Sequence, residues 1–179
     1  MTKLWLLIVG VALSWAVYAD YPSTYEPPPH AALVLTHAIV DIGEGQGEFN
    51  GWVSVADGKI AAIGRMDEPT PGDALEINAG GRWLTPGVID VHSHLGDYPS
   101  PGYRAHSDGN EATSPVTAEV WAEHSVWPQD PQFPLALAGG VTTLQVLPGS
   151  ANLFGGRSVV LKNIWSRTVQ GMKVPGAPY

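Results

Sequence analysis

The chain has 179 residues, a formal net charge of -8 and no cysteine. This excludes disulfides, thiolate metal sites and cysteine nucleophiles; with no basic run, it also argues against a nucleic-acid partner, because phosphate contacts need clustered Lys and Arg. Hydrophobic residues at 44% can form a core, and 21 Gly with 16 Pro call for many turns and short strands.

Residues 1–19, MTKLWLLIVGVALSWAVYA, read as a secretory signal peptide. Lys3 is followed by an uncharged apolar run, and Val17-Tyr18-Ala19 places small residues where a leader peptidase cuts. Cleavage after Ala16 is the other option, and a retained membrane anchor is the alternative to cleavage. The apolar run is shorter than the ~20 residues a spanning helix needs, so no stable membrane span is expected after processing. The expected destination is periplasmic or secreted. Residues 20–30, with three consecutive prolines, read as an extended linker.

Residues 31–86 read as a small β module, a sheet or sandwich of short strands. AALVLTHAIVDIG is apolar and β-branched. Trp52–Ala56 and Lys59–Ile63 flank Asp57-Gly58, a dipeptide suited to a two-residue hairpin turn. ALEINAGGRWLTPG gives two brief strands broken at Gly80-Gly81.

From Gly87 the pattern changes. VIDVHSH, with Val88, Ile89 and Val91, suits a strand buried on both faces, as in a parallel sheet. A polar loop over 95–115 follows. TAEVWAEHSVW is expected to form a short helix capped by Thr117. DPQFPLALAGG reads as a helix starting at Asp130 and stopping at Gly139-Gly140. VTTLQVLPG is a second buried strand, so strand, helix and strand follow in the order of a βαβ unit. GGRSVVLKN is a third apolar run, and QGMKVPGAPY is loop-like.

His92 and His94 lie two apart on a strand and therefore point to the same side. Neutral imidazoles so placed suit a divalent metal. Asp90 shares their parity and is a candidate acceptor for a ring N–H behind the two imidazoles. The alternative is a strand end whose histidines bond to backbone carbonyls. Arg157, after two glycines, is a candidate carboxylate clamp. His106, Asp108 and Glu111, in the long loop, can line a pocket or simply be solvated. His124, Trp121 and Trp127 are expected to pack that loop, while His30 and His37 lie in the linker and the β module.

LTPGVIDVHSHLG resembles the first barrel strand of the metal-dependent amidohydrolase superfamily, VADGKIAAIG its flanking hairpin, and AGGVTTLQVLPGS its second barrel strand. DGNEATSPVTAEVWAEHSVWPQDPQF and ANLFGGRSVVLKN are similar to the imidazolonepropionase-related branch. The resemblance covers residues 32–179. It implies an α/β fold, a small β-sandwich followed by a (β/α)8 TIM barrel. It also implies a hydrolase opening a C–N bond of an amide, cyclic amide or peptide-like small molecule by a metal-activated water, with zinc as the expected metal. His92 and His94 match the family's first two ligands, and Lys162 is a candidate bridging lysine. A closed barrel takes about 250 residues, so residues 87–179 leave room for only its first strands. The catalytic base and the remaining ligands are expected beyond Tyr179, and the chain is expected to be an N-terminal fragment, inactive alone. The competing expectation is a non-catalytic, secreted, β-rich binding module using its tryptophans. Oligomeric state is not legible.

Overall fold

The computed structural model describes residues 20–178 except positions 28, 44 and 46. The expected leader, 1–19, lies outside the described residues. Two compact units are present, one over residues 26–88 and one made of residues 89–178 with the segment 20–25.

In the first unit five strands share one sheet: β1 (Leu33–Val40), β2 (Phe49–Ala56), β3 (Lys59–Arg65), β4 (Leu75–Asn78) and β5 (Trp83–Leu84). β1 pairs antiparallel with β2, and β2 with β3. β1 also carries two parallel partners along its length, β4 beside Leu33–Thr36 and β5 beside Ile39 and Val40. Between those partners the β1/β2 register shifts, at Leu35/Ala38, and His37 adopts a φ of 53°. The bulge bends β1 so that each half finds its own neighbour. This gives a module built from a single mixed sheet, packed around Ala38, Val40 and Val53.

The expected hairpin is present. Ala56 pairs with Lys59, and the two turn residues Asp57 and Gly58 have φ of 51° and 69°. Both signs suit a turn that matches strand twist. A Gly58→Ala variant should lose about 1 kcal/mol, read as a lower urea midpoint with unchanged slope.

The second unit holds a sheet of β6 (Val88–Ser93), β7 (Val141–Val146) and β8 (Val159–Lys162), in that spatial order. The helix α1 (Gln132–Ala138) lies between β6 and β7 in sequence. The Asp130 carboxylate accepts the Gln132 N–H at its start, and Gly140, φ 91°, follows its end. The core is Leu144, Val146, Val159, Leu161 and Met172, closed by Phe133 and Val126.

Two expectations need correction, on β6 and on the helix near Trp121, and two further features lie beyond the sequence reading. β8 runs antiparallel to β7, with Leu144 opposite Leu161, so it is not the third strand of a parallel series. β6 is not buried on both faces: Ile89 is 65% and Val91 68% exposed. It is an end strand, and among the described residues β7 is its one sheet neighbour. The helix expected over 117–127 is reduced to a 3-10 turn, Ala122–His124. There Trp121 forms a bridge to Arg157, and Ser125 Oγ lies against the Ala122 carbonyl, both competing with helical bonds. The tail after Gln170 is loop-like, as expected, and it is docked. Met172 is fully buried, its carbonyl accepts Lys162 N–H, and Val174 N–H donates to Val160, covering the outer edge of β8.

Among the described residues no helix is long and apolar enough to cross a membrane.

Candidate functional site

β6 ends on the two histidines. Ser93 between them is buried, and its carbonyl accepts the Leu147 N–H at 3.0 Å, which ties the end of β6 to the end of β7. The Leu147 carbonyl returns the contact, 2.8 Å from His94 Nδ1. A carbonyl only accepts, so Nδ1 carries the proton. In the neutral ring the lone pair is then on Nε2, the form a divalent metal takes. The His92 and His94 rings are 5.3 Å apart at 83°, and Tyr98 meets His94 edge-on at 5.6 Å.

The turn after His94 is built with care. The His94 carbonyl accepts from both Asp97 and Tyr98 N–H. Gly96 sits at φ 86°, where an added Cβ would meet Val126 at 2.8 Å, so only glycine fits. Its N–H donates to Asp130 Oδ2 at 3.1 Å. Asp130, 1% exposed, also accepts the Ser100 and Gln132 N–H groups and the Gln132 amide.

Asp97 is wholly buried. Its Oδ1 lies 2.9 Å from Ser125 Oγ, while Oδ2 has no partner among the described residues. Burial, with a smaller push from Asp108, raises its pKa from 3.8 to about 7 against the opposing Ser125 hydrogen bond. The sequence marks Asp130 only as a helix start and does not mark Asp97. Asp97 opens a polar loop that also holds Asp108 and Glu111, Asp130 lies between prolines at a helix start, and the burial that distinguishes them comes from residues about thirty positions away.

The other candidates are placed as follows. The Asp90 carboxylate accepts the main-chain N–H of His92 at 3.1 Å, and the acceptor that orients a ring N–H is Leu147. His106 stacks on Trp127 at 4.8 Å and meets Tyr103 at 6.0 Å. Arg157 lies over the Trp121 ring at 4.8 Å and donates to the Ala118 carbonyl, a packed position for a proposed clamp. The Lys162 ammonium is 5.9 Å above the Tyr25 ring. Asp108, Glu111, Glu119, His124 and Ser125 line a cleft of about 310 Å³. A hydrogen bond from Thr113 holds the exposed Glu111 carboxyl below its usual range. Among the described residues no three of His, Asp and Glu gather closely enough to hold a metal ion. The donor set therefore fits a metal in part, with two imidazoles, one of them fixed in the correct tautomer.

No family model matches the chain. The amidohydrolase tasK of Hapsidospora irregularis is 38% identical over 117 residues, 65% of this chain and 11% of that protein. The imidazolonepropionase of a Bradyrhizobium species is 36% identical over 118 residues, 55% of this chain and 28% of that protein. The crystal structure of an amidohydrolase from Thermotoga maritima aligns with a TM-score of 0.72 and 38% identity, covering 80% of this chain and 37% of that one. The chain belongs to the amidohydrolase superfamily. Within it, the relatives named imidazolonepropionase place it in the imidazolonepropionase-related branch. It spans little more than a third, at most, of the lengths of these three relatives.

Proposed function

We propose that this chain carries the first two metal ligands, His92 and His94, of a hydrolase that opens a C–N bond in a small amide, cyclic amide or peptide-like molecule. The observation that carries the reading is the Leu147 carbonyl at 2.8 Å from His94 Nδ1, which leaves Nε2 of the neutral ring as the donor. A divalent metal held there, zinc as the family resemblance implies, would supply activation of water and polarisation of the amide carbonyl. Asp90 braces the His92 backbone, and Ser93 ties the strand end to β7. In this reading β6, α1 and β7 begin a (β/α)8 barrel. The third ligand and the catalytic base lie outside this stretch, which alone does not turn over substrate. The leader at 1–19 directs export.

Zinc titration tests the ligand assignment. The chain should bind zinc at least about tenfold more tightly than the His92→Ala, His94→Ala double variant. Equal binding by the two proteins would remove the assignment.

A further inference from the structure

The segment Asp20–Tyr25 is strapped to the second unit by a cluster that neither histidine touches. Lys173 Nζ donates to the Asp20 carboxylate, to Glu123 Oε2 at 2.6 Å and to the Tyr21 carbonyl at 2.9 Å. Glu123 Oε1 accepts the Tyr21 N–H at 3.0 Å. Ser23 Oγ donates to the Lys173 carbonyl at 2.6 Å, and Thr24 N–H donates to the Gln170 carbonyl at 2.9 Å. The His124 ring meets Tyr21 edge-on at 5.7 Å.

The charges do not balance. Two carboxylates face one ammonium, and the Glu123 side chain is 1% exposed, so water does little to make up the difference. Burial pulls the Lys173 pKa down, but its bonds to Asp20 and Glu123 outweigh that and hold it above the usual lysine value. A second positive charge near Glu123 would complete the set.

Asp20 is the residue that follows Ala19, the end of the expected leader. Standard bond lengths put the Asp20 nitrogen within about 4 Å of the Tyr21 nitrogen, which already bonds to Glu123. We propose that cleavage of the Ala19–Asp20 bond supplies that charge: the new α-ammonium of Asp20 joins Glu123, Lys173 and the Asp20 carboxylate and fastens the strap. One water is consumed. Its oxygen goes to the Ala19 carboxylate and its protons to the released amine, which is an ammonium at neutral pH. The proposal rests on the leader reading for its biological occasion. The ion cluster itself can be tested without it.

The test compares three proteins: the chain from Asp20 with a free α-amine, the same chain Nα-acetylated, and the chain beginning at Ala19. The free-amine form should melt about 3 °C or more above the other two at low salt. Its α-amine pKa, followed by NMR titration, should lie at least about half a unit above the ordinary 7.7–8.0. A raised pKa means the advantage is full below about pH 7 and is lost as pH rises through the folded value. In Glu123→Gln the three forms should melt together. If that variant does not fold, the α-amine pKa in the parent decides. Equal melting of the free and acetylated parents, or an unshifted α-amine, would overturn the proposal. The mass of the exported protein tests the leader separately: an N-terminus other than Asp20 would refute processing at Ala19 and leave the three-protein comparison intact.

Discussion

An Asp97→Asn variant should be about 4 kcal/mol more stable than the parent at pH 8 and equal to it near pH 3. The parent folds with this carboxyl buried, one oxygen unpartnered and the other against Ser125. Ser125 Oγ has one hydrogen but lies 2.9 Å from both Asp97 Oδ1 and the Ala122 carbonyl. The carbonyl can only accept, so both contacts are fully made when Asp97 carries a proton and donates to Ser125. The raised pKa, about 7 against 3.8, comes from burial, which outweighs the opposing Ser125 hydrogen bond. In the unfolded chain the proton leaves near pH 4; in the folded chain it stays until near pH 7. Stability is therefore complete below the lower value and falls as pH rises between them, by about 4 kcal/mol in total. Asn keeps the shape and a donor for Ser125 but has no proton to lose. Chemical denaturation from pH 3 to 8 checks this: parallel curves for parent and variant would sink the idea.

Asp130→Ala should cost about 3–5 kcal/mol, read as a lower urea midpoint of the second unit. The loss removes the acceptor of three main-chain donors, those of Gly96, Ser100 and Gln132, at a position shielded from water. Gly96 holds a positive φ two residues after His94, so loosening it also loosens the histidine. Zinc affinity should fall with stability, although Asp130 makes no contact with either imidazole in the structure. A change under about 1 kcal/mol would show that the acceptor role has been overvalued.

Local chemistry explains which parts were readable from sequence. The Asp57-Gly58 hairpin, the break at Gly80-Gly81 and the limits of α1 each depend on residues within a turn of one another. The paired histidines were readable for the same reason, since strand parity needs no tertiary information. Burial did need it. VIDVHSH has the same composition whether its faces are covered or open, and its open state follows from its place at the end of the sheet. The helix expected near Trp121 lost to a bridge with Arg157, a partner far along the chain. The antiparallel run of β8 and the docked tail depend on pairings between segments that carry no mark of direction. The bulge at His37 gave no warning either, because positive φ is uncommon for any residue but glycine, even one that tolerates it as well as histidine does.

The Asp90 side chain has a further consequence for the exposed flank of β6. The Ser93 carbonyl points toward β7, and neighbouring residues of a strand alternate edges, so the His92 N–H points the other way, to the open side. There the Asp90 carboxylate already occupies it. The strand thus guards its own margin, as exposed sheet edges do when they resist indiscriminate pairing. Any strand that zips onto this margin must first evict the carboxylate.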